Sequence, residues 1–92
     1  MKPRELLEKS LKLVTGKRAS QHGDYRSLHE RFAEGISWYL GHPVTPEQAA
    51  FIMVLLKVAR HENGAFNPDD GVDATSYTAI YAALCGDKKN GR

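Results

Sequence analysis

Residues Thr45-Pro46-Glu47-Gln48 all but oblige the chain to begin a helix at that point. The threonine can accept a hydrogen bond from an open helix N–H, and the proline occupies the first helical position, where its missing N–H is not needed. The glutamine can reach back to the threonine amide. The spacing predicts a helix from Pro46 to about His61. Phe51, Ile52, Val54, Leu55, Leu56 and Val58 lie around most of its circumference, with alanines at 49, 50 and 59. A helix apolar on nearly every side is expected to be interior, so this third helix is expected to be largely buried, with the other elements assembled around it. Its polar residues Lys57, Arg60 and His61 gather at the C-terminal end, where the helix dipole favours cations, and Asn63-Gly64 ends it.

The remaining elements read as helices too. Pro3 and Glu5 open a first helix carrying Leu6, Leu7, Leu11, Leu13 and Val14, and Gly16 closes it. The polar, aperiodic stretch from Gly16 to Asp24 reads as a connecting loop, with Asp24 placed to cap a second helix over Tyr25 to Leu40. Leu28, Phe32, Ile36 and Tyr39/Leu40 give that helix its apolar spacing. Gly35 inside it suggests a close helix contact, and Gly41 supplies a left-handed stop. Asn67-Pro68-Asp69-Asp70-Gly71 reads as a loop leading to a last helix from about Asp73 to Leu84, with Tyr77, Ile80, Tyr81 and Leu84 on one stripe and Gly86 at its end. The predicted class is all-α, a compact four-helix domain over residues 1–86, with 87–92 as a flexible tail.

Composition narrows the function classes. At 92 residues, 41% apolar and 26% charged, the chain has material for one core. A domain of this size buries only roughly 65% of its unfolded surface, so a homo-oligomer is expected to help it. A formal net charge of +2 is too balanced to attract nucleic acid or a membrane surface, and any anion site must be a local cluster. The single cysteine, Cys85, rules out an intrachain disulfide and suits a reducing compartment. With no signal-peptide-like or membrane-spanning run, the cytoplasm is the expected location.

His22-Gly23-Asp24-Tyr25, Phe32, Trp38, Val44-Thr45, Leu56-Lys57-Val58-Ala59-Arg60, Asp73-Ala74 and Tyr77 together resemble a family of small phage and prophage proteins of uncharacterised function. The resemblance spans roughly residues 18 to 83 and implies a helical domain with a recurrent polar cluster. It implies origin rather than chemistry.

Several groups could form a site. In the His22-Gly23-Asp24-Tyr25 turn, the glycine lets backbone approach a ligand, and Arg18 and Arg26 could meet phosphate or carboxylate; equally, Gly23 makes a turn and Asp24 a cap. Lys57 and Arg60, three residues apart, share one face of an apolar helix. Asp73 is the expected partner, either in an Arg60–Asp73 ion pair joining the last two helices or as the residue that orients the arginine for an anion. Asp69, Asp70 and Asp73 around Gly71 are a fragment of a calcium loop that lacks the glutamate at the twelfth position, so an ordinary turn and cap explain them. The histidines at 22, 29, 42 and 61 lack metal-ligand spacing, and no cofactor is implied. Trp38 and Tyr39 point to different sides of their helix, so one of them should be exposed or at an interface.

The resemblance implies a phage- or prophage-encoded protein, and these residues favour one that acts by binding rather than catalysis. The bound species would be a nucleotide-like anionic ligand, sequestered as a counter-defence protein would require, or a host protein. For the anion, the contacts are Arg26, Lys57, Arg60 and His61, with Asp73 orienting them and Tyr25 or Tyr77 stacking on a base. For the host protein, the anchors are Trp38 and Tyr39. The alternative is an all-α, MazG-like nucleoside triphosphate pyrophosphohydrolase using magnesium held by Glu30, Glu34, Asp70 and Asp73. It lacks a clear Glu-x-x-Glu and Glu-x-x-Asp set.

Overall fold

The computed structural model describes residues 1–16 and 24–89. Among the described residues there are four helices, in order α1 Pro3–Thr15, α2 Tyr25–Leu40, α3 Pro46–Asn63 and α4 Pro68–Lys89, and no strand. The all-α, four-helix class is as expected. No described helix is long and apolar enough to cross a membrane. The expected loop between Gly16 and Asp24, with Arg18 and with His22 and Gly23 of the His22-Gly23-Asp24-Tyr25 turn, lies outside the described residues, as does the end of the expected tail beyond Lys89.

Local chemistry sets the helix ends. Asp24 accepts the Ser27 N–H at 3.3 Å. Thr45 Oγ1 accepts from the Gln48 N–H at 3.2 Å while Gln48 Oε1 accepts from the Thr45 N–H at 2.9 Å, the reciprocal box its sequence specifies. Gly41 takes a left-handed φ of 67° and returns its N–H to Ser37 O at 2.9 Å.

The last helix differs from expectation at both ends. It starts at Pro68 rather than near Asp73, because Asn67 Oδ1 accepts the Asp69 N–H at 3.0 Å and the Asn67 carbonyl accepts the Asp70 N–H at 2.9 Å. Asn67-Pro68 is thus the same device as Thr45-Pro46, with Asp69 and Asp70 in the first turn where the dipole favours acids. Gly71 is helical, and a Cβ there would come within 3.2 Å of Leu6 Cδ1, so α1 lies close against the α4 backbone at this point. At the other end α4 runs through Gly86 to Lys89, which places Asp87 in the helix rather than in a tail.

Packing runs from helix to helix: α1 lies against α4, α4 makes the most extensive contact with α3, and α2 packs on α3. Ser10 of α1 meets Ser76 of α4 at 2.7 Å inside this arrangement. Ser76 donates to Val72 O at 2.9 Å, so Ser10 is the donor to Ser76 Oγ. Among the described residues the buried apolar side chains are few and mostly small: Ala33, Ala49, Ala50, Val72 and Leu84.

The expectation of a largely buried third helix needs correction. The buried residues of α3 are Glu47, Ala49 and Ala50, all near its N-terminus, whereas Phe51, Ile52, Leu55, Leu56 and Val58 are between 38% and 54% exposed. The cause is the number of neighbours. Among the described helices α1 packs on α4, while α2 and α4 pack on α3 and leave one side of it open.

Gly35 also departs from expectation, since a Cβ there would meet nothing within 4 Å. No close helix contact requires the glycine. Gly35→Ala is therefore expected to raise stability by about 0.5–1 kcal/mol, read as a higher urea midpoint at unchanged slope.

Candidate functional site

Three of the four groups expected to gather around an anion, Arg26, Lys57 and Arg60, are instead distributed along α4, each against a carboxylate. Lys57 Nζ lies 3.2 Å from Asp73 Oδ2, and Arg60 Nε lies 3.4 Å from Asp70 Oδ1. The expected Arg60–Asp73 pair is therefore replaced by two pairs in antiparallel register. Three residues forward along α3, from Lys57 to Arg60, correspond to three residues back along α4, from Asp73 to Asp70. Each such step keeps both side chains on the facing surfaces of the two helices.

The two pairs differ in burial. The Lys57 side chain is only 12% exposed, so its ammonium depends on Asp73 for compensation. In the second pair the carboxylate is the interior member, Asp70 at 9%, while Arg60 is 54% exposed. Arg60 also borders an open depression with Ala59, Glu62 and Asn63 at the C-terminal end of α3.

Arg26 stands apart from this cluster. Its Nε donates to Asp87 Oδ2 at 3.0 Å, its Nη2 approaches the same oxygen, and its Cζ sits 5.7 Å from the centre of the Tyr25 ring. The hydrogen bond to Asp87, with that carboxylate's charge, raises the guanidinium above its ordinary pKa. Asp87 lies fourteen residues beyond Asp73, roughly 21 Å along the helix at 1.5 Å per residue. Arg26 and Lys57 therefore pair near opposite ends of α4.

Neither candidate stacking residue presents a free ring. Tyr25 has the Arg26 guanidinium near its face, and Tyr77 meets His29 edge-on with centroids 6.1 Å apart. His29, which the sequence marks only as lacking metal-ligand spacing, belongs to the interior. It is buried, Nδ1 lies 2.8 Å from Tyr25 O, and its ring also meets Phe32 edge-on. His61 is exposed on α3 and its ring meets Phe66 at 5.3 Å, in a nearly perpendicular contact.

The carboxylates required by the pyrophosphohydrolase alternative do not converge. Glu30 and Glu34 are exposed on α2, and Asp70 and Asp73 are held by the α3 cations. Among the described residues, no group of three His, Cys, Asp or Glu comes together as a metal site.

The aromatic pair on α2 is a different kind of surface. Trp38 is 84% and Tyr39 81% exposed, so both reach solvent where only one was expected to, and Leu40 beside them is exposed too. The corner behind them is pinned. Ser37 Oγ donates to Ala33 O at 2.7 Å and accepts the Val44 N–H at 2.8 Å, while Gly41 closes the helix onto Ser37 O.

With the geometry in place, comparison with known proteins adds family and relatives. The chain is similar to the Gene 55 protein of Mycobacterium phage L5, 34% identical over 76 residues, which make up 82% of this chain and 49% of that protein. The chain thus spans about half the length of the relative it matches. No solved structure matches it. The model of a domain of unknown function, DUF6378, matches residues 5–85, taking in all of α2 and α3 and most of α1 and α4, and the chain belongs to that family.

Proposed function

We propose that this chain is a phage- or prophage-encoded binding protein whose working surface is the Trp38–Tyr39 corner and whose partner is a host protein. The observation that carries this reading is the exposure of two adjacent large aromatics, 84% and 81%, at the end of a capped helix. Tryptophan and tyrosine are the side chains that most often dominate protein–protein binding, because each brings a large rigid apolar area and one polar handle. Holding them on a corner fixed by Ser37 and Gly41 lowers the ordering cost of association. The similarity to a mycobacteriophage protein supports the phage origin. Occupying a host factor, in counter-defence for example, is a role such a surface suits.

The cationic cluster supports a nucleotide-like ligand less well. An anion would have to displace Asp73 from Lys57, Asp70 from Arg60 and Asp87 from Arg26, and the last of these lies far from the others.

The test is affinity capture from host cell extract with the tagged chain, beside W38A/Y39A and Arg60→Ala versions. A host protein retained by the unaltered chain and by Arg60→Ala, but lost from W38A/Y39A while its circular dichroism stays helical, is the expected result. Retention by W38A/Y39A together with loss from Arg60→Ala would overturn the assignment.

A further inference from the structure

The outward face of α3 carries a pattern that the fold leaves unused. Gln48, Ile52, Leu55, Ala59 and Glu62 succeed one another at spacings of four, three, four and three residues, and all five are exposed. This alternation is the seam along which helices pair in coiled coils. Phe51, Leu56 and Val58 flank it, each more than 40% exposed.

We propose that a second copy of this chain covers this face, the two α3 helices packing antiparallel about a two-fold axis at Leu55. The area is the first argument. Phe51, Ile52, Leu55, Leu56 and Val58, between 38% and 54% exposed, together leave on the order of 400 Å² of apolar surface on one helix face, the size of patch that marks an interaction site. That is about the apolar half of the roughly 800 Å² per partner buried in a stable interface.

The polar ends of the seam are the second argument, and they set the direction. An antiparallel pair centred on Leu55 places Gln48 opposite Glu62 of the partner subunit. Gln48 Oε1 already accepts from the Thr45 N–H, so its amide NH2 is the group that can donate to that carboxylate. A parallel pair would set glutamate against glutamate at one end, which repels. The antiparallel arrangement is also self-complementary, the same patch meeting itself in both directions, as a closed dimer requires.

The interior supplies the third argument. Among the described residues the buried apolar side chains are three alanines, one valine and one leucine, a small core, and a covered α3 would add the large side chains now half in water. The seam lies on a different helix from Trp38 and Tyr39, so dimerisation and partner binding can fail separately.

The test is the mass of the 92-residue chain in solution at tens of micromolar, by sedimentation equilibrium. The expected mass is twice 10.2 kDa, unchanged in Trp38→Ala and halved in Leu55→Glu. A cross-link fixes the geometry, and it still decides if Leu55→Glu fails to fold. In a Cys85→Ser background, Leu55→Cys is expected to oxidise to a disulfide between chains. Glu62→Cys is not, because its two copies lie roughly 21 Å apart along the antiparallel pair. A monomer at this concentration, a dimer unaffected by Leu55→Glu, or faster cross-linking at 62 than at 55 would each overturn the proposal.

Discussion

Replacing Leu84 by alanine is expected to lower the unfolding free energy by about 2–5 kcal/mol, a large share of what a domain this small possesses. Leu84 is 1% exposed and is the largest fully buried side chain among the described residues. Truncating it removes the transfer energy of the lost atoms and adds the cost of whatever cavity the surroundings do not fill. Because Leu84 lies in α4, which contacts both α1 and α3, the loss affects the element that joins the others. Urea denaturation followed by circular dichroism measures it. A change below about 1 kcal/mol would show that α4 is held elsewhere.

Asp73→Ala is expected to be the next most damaging change, at about 2 kcal/mol. It leaves the Lys57 ammonium, 12% exposed, without its carboxylate. Breaking a buried pair from one side costs more than the pair contributes, and the 29% exposure of Asp73 keeps the effect below that of a fully interior pair. Removing both charges should undo most of the damage. Lys57→Met/Asp73→Ala is therefore expected to be more stable than Asp73→Ala alone, and a double-mutant cycle measures the coupling. Strictly additive losses would mean that the two groups do not act as a pair.

The helix starts are legible where the chain states them in local chemistry, as at Asp24, at Thr45 to Gln48 and at the Gly41 stop. Asn67-Pro68 carries the same information, but Asp69, Asp70 and Gly71 behind it read equally well as a turn. Moving the start of α4 from Pro68 to Asp73 has a consequence at long range. Asp70 drops out of the helix, and Asp73 is left as the only partner for Arg60. Which cation meets which acid is a matter of register between two helices, and register depends on where both begin. Gly86 reads as a stop in the sequence, yet a glycine ends a helix this way by turning to positive φ, and among the described residues only Gly41 does so.

The exposure of α3 is illegible for a different reason. A stretch apolar on all sides reads as interior, but whether it is covered depends on how many other elements reach it, and here α1 lies on α4 instead. The candidate site is legible as a set of residue types and not as a set of neighbours. Lys57, Arg60, Asp73 and Arg26 all form ion pairs, but along two separate parts of α4. Trp38 and Tyr39 can be identified from adjacency alone, since two large aromatics side by side cannot both face one core.

The most direct test of whether the cations of α3 maintain helix register or hold a ligand is the melting temperature of the chain with and without saturating nucleoside mono-, di- and triphosphates and cyclic nucleotides. A ligand present at about a hundred times its dissociation constant adds about 2.7 kcal/mol, which in a domain of this size raises the melting temperature by more than about 10 °C. Cations already paired with Asp70, Asp73 and Asp87 predict no rise with any of these compounds. A rise that disappears in Lys57→Met or Arg60→Ala would show that the pairs open to an anion, contradicting the structural role given to them and restoring the nucleotide-like ligand as a reading.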